Sequence, residues 1–118
     1  MKRFEALEIS FAMIRSLRDV LGSIRRRSDH LGRQIEKAAS SVALNLGEGR
    51  RRRGKDRNHH YRVAAGSADE VRCGLHVAEA WGLVGKREIA ESLDHLDSLL
   101  AILWTITEGH RNTRVATH

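Results

Sequence analysis

The sequence predicts an all-α protein, folded as an up-down-up-down antiparallel four-helix bundle. Apolar residues recur at steps of three and four along four long segments, which is the spacing that one face of a helix requires. No segment shows the strict alternation of apolar and polar residues that is typical of a strand, and the 118 residues include no proline. The short links between the segments favour antiparallel neighbours in an up-and-down order.

A chain of this length fits one domain, which we assign to residues 1–118. We expect its helices at about residues 3–26, 29–48, 56–81 and 86–108. Aromatic residues make up only 4% of the chain. The core is therefore expected to be aliphatic and rich in alanine, which suits closely packed helices.

The first helix is expected to bury one stripe of large apolar residues. That stripe consists of Phe4, Leu7, Phe11, Ile14, Leu17, Leu21 and Ile24. The arginine triplet 25–27 follows, where cations complement the negative end of the helix dipole. We leave open whether the triplet also binds a partner. Ser28 or Asp29 can cap the second helix, because their side-chain oxygens accept hydrogen bonds from the first free amides.

The second helix carries an apolar stripe with a polar lane beside it. The stripe consists of Leu31, Ile35, Ala38, Val42 and Leu46. The polar lane consists of Gln34, Ser41, Asn45 and Glu48, which fall within roughly 60° of one another on a helix. Because polar groups beside a core need hydrogen-bond partners, we expect the lane to fix helix register, with a ligand site as the alternative. Gly47 and Gly49 suit a left-handed helix end.

The third helix is expected to have two apolar faces. Its main stripe is Tyr61, Ala64, Ala68, Val71, Leu75 and Ala78. Nearly opposite lies what we call the second face, made of Val63, Gly66, Glu70, Gly74, Val77 and Trp81. A peripheral helix of a monomer needs only one apolar face. We therefore expect the second face to contact another subunit; the alternative is a set of tolerated exposed apolar residues.

The fourth helix is expected to follow a glycine cap. Gly82 and Leu83 match a left-handed helix end with its apolar contact. The apolar face that follows consists of Ile89, Leu93, Leu96, Leu99, Leu100, Leu103, Trp104, Ile106 and Thr107. Gly109 is expected to end this helix, and residues 110–118 are expected to fray.

The residues that usually carry catalysis show no recognisable pattern. The adjacent His59 and His60 point about 100° apart on a helix, so they cannot share a metal ion. No glutamate has a histidine three residues on, as a di-iron bundle requires. No phosphate loop or nucleophile elbow is present. Cys73 has no partner at metal spacing, so we expect it to pack. We therefore expect no enzyme activity, no cofactor and no metal. The remaining enzymatic alternative would use the polar lane as a pocket with perturbed carboxylates.

The composition bears on the compartment and on membranes. The single cysteine excludes an internal disulfide and fits a reducing cytoplasm, where we expect the protein to be located. No stretch approaches the roughly 20 apolar residues of a membrane span. No signal peptide is visible at the N-terminus. We therefore expect no membrane partner.

The turn between the second and third helices is strongly basic. The cations there are Arg50, Arg51, Arg52, Arg53, Lys55 and Arg57, which we call the basic corner. These six cations less Asp56 account for +5 of the formal net charge of +6. A polyanion would relieve their repulsion, with counterion release as the driving force. The only aromatic residue close by in sequence is Tyr61, which belongs to the core stripe.

We therefore predict that the basic corner binds RNA or DNA phosphates with weak sequence preference. A protein-protein interaction scaffold with no nucleic-acid role is the alternative. In that case the arginines would meet acidic proteins or only water.

Two blocks of the sequence resemble a known family. QIEKAASSVALNLGEGRRR from Gln34 and YRVAAGSADEV from Tyr61 resemble the bacterial four-helix-bundle proteins named after intervening sequences in 23S rRNA genes. The matching positions are Gln34, Ser41, Val42, Asn45, Glu48, Gly49, Arg50, Ala64 or Ala65, Gly66, Ser67 and Glu70. The resemblance covers residues 31–83 well. The tryptophan and Phe-Pro that usually precede the second helix are missing, and residues 25–29 stand there instead.

This resemblance implies an up-down bundle that assembles as a ring, typically a homopentamer, with no known catalysis and an ill-defined cellular role. The chain is also similar to the accessory proteins of diversity-generating retroelements. In those systems a basic pentamer accompanies a reverse transcriptase and nucleic acid. The resemblance thus implies nucleic-acid binding by the basic corner and a reverse transcriptase as protein partner.

Overall fold

Four α-helices make up the computed structural model, which describes the backbone of residues 2–116 and the side chains of residues 5–107. They are α1 (Lys2–Arg27), α2 (Asp29–Gly49), α3 (Gly54–Ala80) and α4 (Lys86–Ala116). α1 and α3 each pack against both α2 and α4, so the helices lie at the corners of a square in chain order. The predicted up-down-up-down four-helix bundle is confirmed. No strand occurs within residues 2–116.

The core is aliphatic and rich in alanine, as predicted. Every residue of the main stripe of α3 is buried, and Tyr61 at its N-terminal end is only 2% exposed. α2 buries Ile35, Ala38, Val42 and Leu46 against it. Small side chains at the centre of this pair let the two helices approach closely.

The predicted stripe of α1 is only partly the buried face. Leu17 and Ile24 are buried, but Phe11 is 39% exposed. The other buried residues of α1 are Ala6, Ser10, Met13 and Val20. Ala6 and Ser10, the small residues among these, allow α1 to pack closely on α2 and α4. Phe11 therefore lies at the edge of the buried face of α1. The side chain of Phe4 lies outside the described residues.

The links between helices follow the predicted capping at two places. Ser28 caps α2, and its hydroxyl accepts a hydrogen bond from the Leu31 amide at 3.4 Å. Gly82 has a φ of 76°, and the Leu83 amide donates to the Ala78 carbonyl at 2.9 Å. The left-handed cap after α3 is therefore confirmed.

The predicted end of α4 at Gly109 is wrong, because the helix continues to Ala116. A single glycine inside a helix costs only about 1 kcal/mol relative to alanine and does not by itself end a helix. His118 lies outside the described residues, as does the side chain of His110. Within residues 2–116 no helix combines the length and the apolar character needed to cross a membrane.

Candidate nucleic-acid interface at the basic corner

The turn between α2 and α3 is built differently from the prediction. Gly47 and Gly49 do not take the left-handed conformation, which among the described residues occurs only at Gly54 (φ 58°) and Gly82. Gly49 is needed for another reason. A Cβ atom there would lie 2.6 Å from Cε1 of Tyr61, so the missing side chain allows the start of α3 to pack on the end of α2.

Backbone hydrogen bonds tighten this turn and direct its side chains outward. The amides of Arg51 and Arg52 donate to the carbonyls of Glu48 and Gly49 at 3.2 and 3.0 Å. Arg53 then has an extended backbone and precedes α3 without a side-chain capping bond. All the cations of the basic corner except Arg57 are exposed.

Two carboxylates partly neutralise the basic corner. Glu48 pairs with Arg51 at 2.9 Å and with Arg52 at 2.8 Å, and Arg52 also reaches Asp56 at 3.4 Å. The hydrogen bonds from Arg52 and then Arg51 lower the pKa of Glu48 from its ordinary value. Glu48 is therefore an anion at neutral pH. Six cations less these two carboxylates leave +4 at the turn.

The six cations do not have the same surroundings. Arg57 is half-buried, and its Nε donates to the Gly49 carbonyl at 3.3 Å, where a cation complements the negative end of α2. Arg53 and Lys55 make no side-chain ion pair within residues 5–107. Arg57 is thus tied to the fold, whereas Arg53 and Lys55 are directed to solvent.

Two members of the polar lane form hydrogen bonds that join α2 to α3. The Ser67 hydroxyl donates to Ser41 Oγ at 2.9 Å, and Asn45 Nδ2 donates to the Ser41 carbonyl at 2.9 Å. Asn45 Oδ1 lies 3.0 Å from Nδ1 of His60. Because an amide oxygen can only accept, His60 carries its proton on Nδ1. The other two members differ, since Gln34 is exposed and Glu48 faces the arginines.

The second face of α3 is directed away from the core. Val77 is 38% exposed and Trp81 74%, Gly66 and Glu70 are also exposed, and Val63 is half-buried. A groove of about 240 Å³ follows this face between α2 and α3. It is lined by Leu31, Gln34, Ile35, Glu70, Cys73, Gly74 and Val77.

Two details of this face differ from expectation. The expectation that Cys73 packs is not met, because its position lies away from the main stripe and its side chain is exposed in the groove. Gly74 already serves packing within the subunit, since a Cβ atom there would lie 2.7 Å from Cγ1 of Ile35. At Gly66 nothing lies within 4 Å of such an atom, so space for a neighbouring helix remains there.

The structure also brings apolar residues beside the basic corner that the sequence did not place there. A groove of about 350 Å³ lies between α1 and α2. It is lined by Leu7, Phe11, Ala43, Leu44, Gly47, Glu48, Arg50 and Arg51. Helical periodicity put Phe11 in the core, and only the packing of α1 shows that it lies at the surface near the arginines.

No group of three or more His, Cys, Asp or Glu side chains in the described part of the chain could hold a metal ion. The candidate site therefore consists of a charged turn, a hydrogen-bonded polar lane and two surface grooves. Four antiparallel helices with such features define a class of small helical-bundle proteins. Within this class the family is clear: the 23S rRNA-intervening sequence protein model matches residues 4–105, and the chain belongs to that family.

A solved structure has a similar fold. It is the 1.70 Å crystal structure of a protein with unknown function from the S23 ribosomal protein family of Bacteroides thetaiotaomicron. The TM-score is 0.74, and the match covers 92% of this chain and 99% of that chain at 13% sequence identity. At this identity the similarity shows the fold alone. No curated protein gives a significant match.

Proposed function

We propose that this protein is a non-catalytic, ring-forming helical bundle that binds RNA or DNA phosphates through the basic corner. The observation that carries the proposal is the charge of one short turn, where six cations lie together and the carboxylates of Glu48 and Asp56 offset only part of their charge. Arginine binds phosphate bidentately, and release of condensed counterions favours binding. Contacts of this kind select for phosphate rather than for base sequence.

Ring formation is supported by the second face of α3. Val77 and Trp81 expose apolar surface there, and Gly66 leaves room for a neighbouring helix. The family resemblance adds the expectation of a homopentamer. A ring would repeat the basic corner once per subunit, so weak phosphate contacts would gain avidity on one long polyanion.

The proposal includes no catalytic step and no cofactor. Ser41 and Asn45, the residues that an enzyme built on the polar lane would use, are hydrogen-bonded to each other and to α3. Their polar atoms have structural partners, which favours a role in holding two helices together.

The alternative is a protein-protein interaction scaffold, and the exposure of Trp81 is the observation that favours it. Exposed aromatic residues are enriched among the side chains that dominate protein interfaces. A reverse transcriptase, the partner suggested by the likeness to retroelement accessory proteins, would be one candidate. Binding through an apolar interface depends little on salt, whereas phosphate binding depends on it steeply.

Fluorescence anisotropy with labelled structured RNA and duplex DNA tests the proposal at about 50 and 200 mM salt, a range over which phosphate binding weakens strongly. The test variant replaces residues 50–53, four arginines, by serine. A matched control removes four exposed cations at the opposite end of the bundle. It replaces Arg26, Arg33, Lys86 and Arg87 by serine.

We expect the affinity of wild type to fall steeply as salt is raised. The variant with serine at positions 50–53 should lose most of the wild-type affinity at low salt. The slope of log affinity against log salt should decrease by about 0.9 for each duplex phosphate that the variant no longer neutralises. The control variant should retain most of the affinity. Glu48→Gln should bind more tightly than wild type, because Arg51 and Arg52 lose their competing anion. Equal losses in the corner and control variants, or no wild-type binding at low salt, would overturn the proposal.

A further inference from the structure

The groove between α1 and α2 is continuous with the basic corner. Arg50 and Arg51 contribute to its lining, and so do Phe11 and Leu44. Leu44 is 72% exposed, although it lies on a helix whose other face is fully packed. These apolar side chains lie beside the charges of the basic corner, so one occupant could contact both.

From this groove we infer that the protein takes an unpaired nucleobase beside the phosphates held by the basic corner, so that its preferred partner is single-stranded RNA or DNA. The inference rests on the proposed function and adds the class of nucleic acid. Phe11 would provide the stacking surface, since every base has a flat face that can lie on an aromatic ring. Leu7 and Leu44 would cover the edges of the base.

Charge placement supports a nucleotide as the occupant. A phosphate at Arg50 or Arg51 leaves the attached base within reach of the groove, because both arginines line the groove itself. Glu48 lines it too and is held as an anion by Arg51 and Arg52. Its side-chain oxygens can accept a hydrogen bond from the amino group of a base, and the amide oxygen of Glu48→Gln would keep one such acceptor.

The groove favours a single strand over a duplex as the source of the base. Its volume of about 350 Å³ lies within the range of small-molecule pockets. A duplex keeps its bases paired and stacked inside, so filling the groove from a duplex would require a base to be unstacked first. Single strands and loops present bases without that cost.

The test measures the affinity of the intact protein for four labelled probes of one sequence. The probes are single-stranded RNA, single-stranded DNA, the DNA duplex and single-stranded DNA with abasic sites. The variants are Phe11→Ala, Phe11→Leu and Phe11→Trp. The leucine variant keeps apolar volume without a ring, and the tryptophan variant keeps an aromatic ring. Trp104→Ala is the control, because Trp104 is a comparably exposed aromatic residue (43%) on α4, outside the groove.

We expect Phe11→Ala and Phe11→Leu to weaken single-strand binding by roughly 5- to 150-fold, the range that stacking of one base corresponds to. The loss should be similar at both salt concentrations, because stacking releases no counterions. Phe11→Trp should restore affinity, Trp104→Ala should leave it unchanged, and duplex and abasic probes should be insensitive to Phe11.

Three results would overturn the inference. If wild type bound the single-stranded, abasic and duplex probes equally, phosphate binding would still be supported, but binding of a base in the groove would be excluded. Wild-type affinity in Phe11→Leu would show that no stacking ring is needed. A change of assembly size in the Phe11 variants, measured by light scattering, would make the groove a subunit interface. If wild type binds none of the probes, the proposed function itself fails.

Discussion

Asn45 contributes both ends of its amide to the contact between two helices. Its nitrogen donates within α2 to Ser41, and its oxygen accepts from His60 on α3. Ser67 completes the network from the α3 side. Half-buried networks of this kind are costly to interrupt, because the groups left behind lose both the bond and access to water.

Replacing Asn45 by leucine should destabilise the protein by about 1–3 kcal/mol, the cost of leaving partly buried polar groups unpaired. Urea unfolding measures the change. Gln34→Leu is the control, since Gln34 has the same chemistry on the same lane but is exposed, and its effect should stay within about 0.5 kcal/mol. Equal stability of the Asn45 variant and wild type would show that the network does not hold the helices together.

The pair formed by α2 and α3 depends on close approach at two glycines. Gly49 faces the ring of Tyr61, and Gly74 faces Ile35. One contact lies near the basic corner and the other nearer the opposite end of the pair. Together they set how the two helices lie against each other, and with it the position of the corner between them.

Gly49→Ala should destabilise the protein by about 1–3 kcal/mol, because the new methyl group would overlap the buried ring of Tyr61. Gly47→Ala is the matched control two residues earlier. Nothing lies within 4 Å of a Cβ atom there, so the substitution should stabilise α2 by about 0.5–1 kcal/mol. Thermal or urea unfolding of both variants measures the difference. Two changes of the same sign would contradict the assigned role of Gly49.

In the whole molecule, the two candidate binding surfaces lie on different pairs of helices. The groove beside the basic corner lies between α1 and α2, whereas the exposed apolar face lies along α2 and α3. Assembly through the second face of α3 would therefore not require the α1–α2 groove. In the proposed ring, nucleic acid and neighbouring subunits would use different sides of each bundle.

Val77→Asp or Trp81→Asp should break the proposed oligomer while leaving the bundle folded. Both side chains are already exposed in the single chain, so a charge there costs the subunit little but would be buried unpaired in an interface. Light scattering and circular dichroism measure size and helicity, with Trp104→Asp on α4 as the control. An assembly of unchanged size would remove the second face as the interface.

Much of this protein could be predicted from local sequence. A helix repeats every 3.6 residues, so the stripes of α2 and α3 identify the residues that those helices bury. Capping chemistry is also local, which is why Ser28 and Gly82 could be assigned. The six cations of the basic corner are neighbours in the chain, and any fold of these helices would keep them together.

Only the tertiary structure decided the remaining features, because they depend on how closely whole helices pack. The apolar stripe of α1 is wider than the face that α2 and α4 cover, so periodicity alone could not show that Phe11 lies at the rim. The need for glycine at position 49 comes from Tyr61 on the next helix, not from the backbone of its own turn. Local spacing determined the four helices and their charged turn; contacts between helices decided which side chains surround that turn.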